Sequence, residues 1–392
     1  MKVLIVSDCY KPTINGVVTS VLNLKAGLEE LGHEVRVLTL SNSTTSYKED
    51  EVYYIGSLDL GKMYPGVVRV QIMPSKNEIA DIISWKPDIV HTQSEFSTFF
   101  IAKRIAKQLK IPIIHTYHTV YEDYTHYFST SKTIGKKAVA KVTNLYSEKV
   151  DGIVAPTQKI NSMLDRYGVS CPVHIIPTGI SLEKFQSKIS DEEINKLKQS
   201  LGIPPDNIVL VSVSRLGKEK NIDNLINYLH KYQNKKISFV IVGDGPAKES
   251  LEDLTEKLNL SSQIVLTGSI PPDSVPQYYQ MADLFVSAST SETQGLTYIE
   301  ALASGTPILC RKDTCLDGVL EEYKNGYSFE NEMEFTQKLD LYMSSKDNSE
   351  MVNNAVNTAE KFTTENFAKA VVDLYQFYLN YNNKGHYITD EE

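Results

Sequence analysis

The sequence predicts an α/β protein built as two doubly wound, largely parallel units. Three observations carry this. Short apolar runs of strand length alternate with amphipathic helical runs along most of the chain, the β-α-β rhythm of parallel sheets. The rhythm breaks over the polar stretch Ser187 to Asp206, with its Pro204-Pro205 turn, and then restarts. With 392 residues, each of two domains can build its own core. The expected domains are 1–185 and 186–366.

In the first half, Lys2–Ser7 reads as a buried strand. Gly16–Leu31 reads as a helix, with Val17, Val21, Leu24 and Leu28 on one face. Gly32-His33 ends it, and Glu34–Leu40 is the next strand. Helices are expected at Ile79–Trp85, Phe99–Leu109, Ile134–Lys149 and from Pro156-Thr157 to Tyr167, with strands at Ile89–His91, Pro112–His115, Gly152–Ala155 and His174–Pro177. The second half offers strands Ile208–Ser214, Ile237–Gly243, Ile264–Thr267, Leu284–Ala288 and Pro307–Cys310. Helices Asn221–Tyr232, Ala247–Leu258, Pro276–Met281 and Tyr298–Ala303 lie between them. The final helix, Phe367–Leu379, is amphipathic, and the tail Asn382–Glu392 is polar and expected to fray.

Bulk properties narrow the class. The N-terminus lacks the apolar core and cleavage site of a signal peptide. No apolar run approaches the roughly eighteen residues of a transmembrane helix. Cys9, Cys171, Cys310 and Cys315 match no common zinc spacing and are expected to be reduced thiols in a cytoplasmic protein. The net charge of −9 is uneven: residues 1–185 carry 21 Lys+Arg against 18 Asp+Glu, and the remainder is strongly acidic. A cationic patch within 95–149 points to an anionic surface partner, and it equally fits a solvated helical face. No nucleic-acid partner is expected.

The segment most informative for function is Ser291-Glu292-Thr293-Gln294-Gly295-Leu296-Thr297-Tyr298-Ile299-Glu300. An apolar strand precedes it and a helix follows. Free N–H groups and the dipole at a helix start suit a phosphate, and Gly295 allows close backbone approach. Glu300 lies roughly 7 Å along the helix, within reach of a ribose diol. Glu292 faces the other way, toward whatever the phosphate carries. The order fits a nucleotide-sugar. Upstream, Arg215 and Lys220 flank a glycine-containing loop after a strand, so both can turn to a diphosphate. Gly243-Asp244-Gly245 also ends a strand, but Lys248 stands where a dinucleotide fingerprint needs its third glycine.

The Glu292-to-Glu300 segment resembles the E-x7-E signature of retaining GT-B glycosyltransferases of family four. Its Glu-Thr-Gln-Gly-Leu wording resembles the branch that glycosylates diacylglycerol in bacterial membranes. Arg215 and Lys220 resemble the family's R-x4-K element. Asn15-Gly16 stands where many relatives have Gly-Gly, and Asp313-Thr314-Cys315-Leu316-Asp317-Gly318 stands for the usual Gly-Gly loop. The resemblance spans roughly residues 1–380. It implies two Rossmann-like domains facing across a cleft, with the C-terminal helix 367–385 crossing back to the first.

The resemblance also assigns roles. Asn15, Gly16, Arg215, Lys220, Gly243, Asp244, Gly268, Gln294, Gly295, Leu296, Thr297 and Glu300 would bind the donor, with Gly243, Asp244 and Gly268 near the base. Glu292 would grip sugar hydroxyls. His118, in the loop His115-Thr116-Tyr117-His118-Thr119-Val120-Tyr121-Glu122-Asp123-Tyr124, would orient the reacting groups, while His115 reads as a core histidine. No DxD motif occurs, so no metal and no cofactor are expected beyond the UDP-sugar substrate.

The implied reaction moves a hexose, expected to be glucose, from UDP to diacylglycerol or monoglycosyl-diacylglycerol, with retention. The enzyme would sit peripherally on the inner face of the membrane, docked by Lys103, Arg104, Lys107, Lys132, Lys136, Lys137 and Lys141 among Phe99, Phe100, Ile101, Ile105, Ile134, Val139, Val142 and Leu145. The alternatives are a soluble glycosyltransferase acting on a sugar or protein, and a UDP-sugar-binding or epimerase-type protein without an acceptor.

Overall fold

The computed structural model describes residues 1–59, 69–71, 75–122 and 132–383, with only the backbone of Lys132, Asn382 and Asn383. The chain divides into two compact units, Met1–Gly179 with Thr364–Glu392, and Ile180–Thr363.

The first unit centres on an eight-stranded sheet. Its strands are β1 (Lys2–Val6), β2 (Glu34–Leu40), β3 (Tyr47–Glu49), β4 (Val52–Ile55), β7 (Ile89–Thr92), β8 (Ile113–Thr116), β9 (Gly152–Ala155) and β10 (Val173–Ile175). A separate antiparallel pair, β5 (Ser57–Asp59) and β6 (Arg69–Gln71), lies between them in sequence. The sheet order is β10-β9-β8-β7-β1-β2-β4-β3, parallel throughout except for the β3 edge. Helices α1 (Gly16–Glu30), α2 (Lys76–Trp85), α3 (Ser97–Leu109), α4 (Lys132–Ser147) and α5 (Gln158–Tyr167) connect the parallel strands. Alternate residues of β1 enter opposite cores: Leu4 and Val6 pack with α2–α5 residues, Val3 and Ile5 with α1. Burial on both faces is why these strands read as continuous apolar runs. The β3–β6 region escaped the sequence reading because its strands are only three or four residues long.

The second unit holds a six-stranded, all-parallel sheet. In chain order its strands are β11 (Ile208–Val213), β12 (Ile237–Val242), β13 (Ile264–Gly268), β14 (Leu284–Ser287), β15 (Ile308–Arg311) and β16 (Gly326–Phe329), in the order β13-β12-β11-β14-β15-β16. Its helices are α6 (Leu182–Gln186), α7 (Asp191–Ser200), α8 (Ile222–Tyr232), α9 (Lys248–Lys257), α10 (Val275–Gln280), α11 (Leu296–Ala303), α12 (Glu332–Ser344) and α13 (Ser349–Ala359). The polar stretch after Ser187 is therefore not only a linker. Ser190 and Glu193 form a reciprocal capping box that starts α7, whose polarity reflects its position outside the core. Ile180, Leu182 and Phe185 pack in the second unit's core, so the chain leaves the first unit at Gly179.

The last helix, α14 (Thr364–Asn383), lies in the first unit. It packs on α1 through Phe367, Val371 and Leu374. Two tyrosines of α14 reach sheet histidines: Tyr375 Oη lies 2.6 Å from His91 Nδ1, and Tyr378 Oη 2.9 Å from His174 Nε2. Residues 384–392, the end of the expected frayed tail, lie outside the described residues.

Candidate active site

In a doubly wound sheet, the strand order reverses at one place, and loops leaving the carboxyl ends there diverge to form a crevice. The second unit reverses between β11 and β14. The loop after β11 carries Arg215 and Lys220; the loop after β14 carries Glu292 to Gly295. Lys220 Nζ and Glu292 Oε1 meet at 2.5 Å, both side chains largely buried, and so join the two loops. Arg215 Nη2 lies 2.8 Å from Glu219 Oε1, with the arginine more exposed than its partner. Each expected phosphate-binding cation thus has a carboxylate neighbour that holds it in place.

Helix α11 begins at Leu296, two residues before the expected Tyr298, and Gly295 caps it with φ 75°. A Cβ on Gly295 would sit 2.5 Å from the Tyr298 ring, so both conformation and space demand glycine. Gln294 is buried beside it; Leu296 and Thr297 open the helix. Glu300 falls about one turn in. Its Oε2 accepts from the buried Tyr279 hydroxyl at 2.8 Å, and burial pushes its pKa up. The sequence reading missed Tyr279, which belongs to α10 and is 21 positions away from its partner.

Gly243 and Gly245 have a packing role. Both adopt positive φ, and a Cβ at Gly243 would lie 1.9 Å from the Ser214 carbonyl oxygen. The turn is stitched to the cationic loop by Leu216 N donating to Asp244 O and Ala247 N to Leu216 O. Gly243 N donates to Gly268 O at 3.0 Å, which brings the third expected donor segment alongside. The Asp244 carboxylate turns back to the amide of Gly245.

The first unit reverses between β1 and β7. After β1, Asn15 Oδ1 accepts from Val18 N at 2.9 Å and caps α1. A Cβ on the exposed Gly16 would meet nothing within 4 Å, so no neighbour among the described residues requires glycine there. After β7 come Gln93 and Glu95, which the sequence reading did not examine because it stopped at the end of the strand. After β8 comes His118, whose Nε2 lies 2.6 Å from Gln93 Oε1. Burial depresses its pKa to about 4, so the ring is neutral at ordinary pH. His115 is buried, with Nδ1 on Thr92 Oγ1 and Nε2 3.3 Å from Glu95 Oε1. The Tyr121 hydroxyl donates to Glu95 Oε2. Burial alone would raise the Glu95 pKa; His115 and Tyr121 instead hold it below the usual range. Asp8, on the β1–α1 loop, accepts from Thr98 N at the start of α3 and lines a cavity of about 290 Å³ with Tyr10, Leu40 and Tyr54.

The basic surface divides in two. On α3, Phe99, Ile101 and Ile105 are core residues, contrary to the expected docking face, because they pack against β7 and β8. There Arg104 and Lys107 are solvated, Lys103 is half-buried and Phe100 is exposed. On α4, Val139 is buried, while Ile134 (67% exposed), Val142 and Leu145 face outward beside Lys136, Lys137 and Lys141. Lys136 Nζ lies 2.8 Å from Glu122 Oε2. The Lys132 side chain, Asp123 and Tyr124 lie outside the described residues. Among the described residues, no group of three metal-ligating side chains assembles, and no helix is long and apolar enough to cross a membrane.

Comparison with known proteins settles the family. The alpha-monoglucosyldiacylglycerol synthase of Acholeplasma laidlawii is 35% identical over 98% of this chain and 99% of its own. The chain belongs to glycosyltransferase family 4. The family model described as Glycosyltransferase Family 4 matches residues 14–184, and that of Glycosyl transferases group 1 matches 193–362. The Streptococcus pneumoniae alpha-monoglucosyldiacylglycerol synthase is 34% identical over 97% of this chain and 86% of its own. Anabaena HepE, solved in complex with UDP and glucose, superimposes with a TM-score of 0.75 at 17% identity, covering 96% of this chain and all of that one. The fold of this glycosyltransferase is GT-B, with two Rossmann-like units.

Proposed function

We propose that this glycosyltransferase moves glucose from UDP-glucose to the free hydroxyl of diacylglycerol, with retention at the anomeric carbon. The observation that carries the acceptor is the 35% identity, over nearly the full length of both chains, with the Acholeplasma synthase. The donor assignment rests on the Glu292-to-Glu300 segment and on the geometry around it. In the second unit, Arg215, Lys220 and the α11 start at Gly295–Thr297 would take the diphosphate, Glu300 the ribose, and Glu292 the glucose hydroxyls. Asn15 and Gly16 would add the close backbone approach that an open Cβ position permits.

No enzymic nucleophile is assigned. The acceptor hydroxyl attacks on the face that UDP leaves: its oxygen bonds to the anomeric carbon, the carbon–phosphate oxygen bond breaks, and the departing phosphate takes the proton. Lys220 and Arg215 offset the growing phosphate charge, and His118 orients the hydroxyl. The exposed apolar residues of α4, set among lysines, support docking on an anionic membrane surface.

The deciding experiment incubates the purified chain with UDP-glucose, UDP-galactose or GDP-mannose in separate anionic micelles containing diacylglycerol or its monoglucosyl form. Mass spectrometry weighs the lipids, and proton NMR reads the anomer. Monoglucosyl-diacylglycerol formed as the α anomer from UDP-glucose is the expected product. UDP release without a lipid product discards the acceptor and keeps the donor assignment.

A further inference from the structure

His118 sits at the end of a buried hydrogen-bond chain. Its Nε2 meets Gln93 Oε1 at 2.6 Å. Gln93 Nε2 donates to Thr116 Oγ1 at 3.5 Å. Thr116 Oγ1 meets His91 Nε2 at 2.7 Å, and His91 Nδ1 meets Tyr375 Oη at 2.6 Å. Gln93 is 2% exposed, Thr116 1%, and His91 and Tyr375 are fully buried. A buried amide with this contact exchanges no partner with water, so its geometry is set by the fold. The Gln93 backbone is fixed as well, because its N–H donates to Val6 O at 2.7 Å.

We propose that Gln93 is a positioning residue for glycosyl transfer, holding His118 as the Nε2–H tautomer so that Nδ1 accepts from the acceptor hydroxyl in the bound state and orients it, before that proton passes to the departing phosphate. The amide oxygen faces the ring, so it accepts and Nε2 must carry the proton. The opposite nitrogen then offers a lone pair. A neutral ring without this contact would populate both tautomers, and in one of them Nδ1 would present a proton to a hydroxyl that needs an acceptor. The inference rests on the proposed role of His118 at the acceptor hydroxyl. Among the described residues, the titratable groups coupled to this ring are Glu95, His115 and His91. They belong to the adjoining network, and Gln93 is the direct contact.

The test uses the full chain with nitrogen-15-labelled histidine, and the His118 signals are assigned by their loss in His118→Ala. The wild-type protein should show a protonated Nε2 and an unprotonated Nδ1. Gln93→Leu should mix the tautomers and lower kcat by up to about 100-fold, with little change in KM for UDP-glucose, while the lost Thr116 contact lowers the unfolding midpoint. Gln93→Glu keeps an acceptor at Nε2. It should retain that tautomer, recover part of the lost kcat, and move the acid limb of the pH profile upward, since a carboxylate favours the imidazolium. The proposal is overturned if Gln93→Leu keeps both the tautomer and kcat of the wild type while His118→Ala is impaired. If Gln93→Leu does not fold, Gln93→Glu decides alone: an unchanged His118 titration overturns the proposal. Full activity in His118→Ala would instead remove the role of His118 itself, and the proposal with it.

Discussion

Lys220 and Glu292 stand 72 positions apart in the chain and meet at 2.5 Å. One belongs to the loop after β11 and the other to the loop after β14, the two strands between which the second sheet reverses. On the proposed reading, one is assigned to phosphate and the other to sugar. The ion pair would then hold the two halves of the proposed nucleotide-sugar site at a fixed spacing before either half is used. Such preorganisation favours transition-state charge, because little rearrangement is left for the moment of reaction.

Glu292→Gln keeps the size of the side chain and removes its charge. The expected effect is a fall of about 100-fold in kcat, with UDP affinity changing less, because UDP lacks the sugar and feels the substitution only through Lys220. Steady-state rates beside calorimetric UDP titration measure both. A loss confined to UDP affinity would move Glu292 from the sugar to the phosphates.

Glu300→Ala should act in the opposite sense. Losing charged hydrogen bonds to a ribose diol costs about 1.5–3 kcal/mol, or roughly 10- to 100-fold in the UDP dissociation constant. Tyr279→Phe should weaken UDP binding less, since it removes only the hydroxyl that orients Glu300. Unchanged UDP affinity in Glu300→Ala contradicts the ribose role.

Gly295→Ala places a methyl group against the Tyr298 ring at a positive φ. Strain of this kind costs about 1–3 kcal/mol, read as a lower denaturation midpoint for the second unit. Gly16→Ala has open space and should leave stability alone while weakening UDP-glucose binding. Equal binding by Gly16→Ala and wild type would show that nothing approaches that backbone.

Asp8 supplies a pH prediction. Burial raises its pKa from 3.8 to about 6, against the opposing contact with the Thr98 amide. Between those values the folded chain holds a proton that the unfolded chain has lost. Stability from this group therefore falls as pH rises from about 4 to about 6, and the full cost, about 3 kcal/mol, is present above that. Asp8→Asn keeps an acceptor for Thr98 N and cannot ionise, so it should gain stability over wild type at pH 8 and lose that advantage near pH 4.5. Chemical denaturation at both values checks this; a difference independent of pH removes the assigned ionisation.

Replacing Ile134 and Val142 with serine should weaken binding to anionic vesicles and leave UDP binding intact, because both side chains are exposed on α4. Raising salt should weaken the wild type in the same assay. Vesicle binding unaffected by either change would place the membrane contact elsewhere.

The alternation of buried strands and helices was plain in the sequence because parallel strands covered on both faces are uninterrupted apolar runs. The Arg215–Lys220 and Glu292–Glu300 loops were legible for a related reason: each follows such a run directly. What the sequence did not show were partners brought in from distant elements, namely Tyr279 behind Glu300 and Gln93 behind His118. Neither pairing leaves a local spacing to read. The glycines of the Gly243–Gly245 turn carried a signal whose meaning changed, since their demand comes from the Ser214 and Leu216 carbonyls across the sheet. On α3, helical periodicity gave an apolar face but not its destination, which the sheet decides.

The second unit enters at Ile180 and leaves at Thr363, and these two residues are paired as a β-bridge, with Ile180 N donating to Phe362 O at 2.8 Å. The whole unit is thus a closed insertion with its ends tied side by side. To the surrounding chain it is a single short loop, whatever its length. A segment joined in this way behaves as a cassette: another α/β unit with adjacent ends can replace it without changing the distance that the flanking chain must span. Exchange of this unit among relatives would then require only that the two stitched ends be kept.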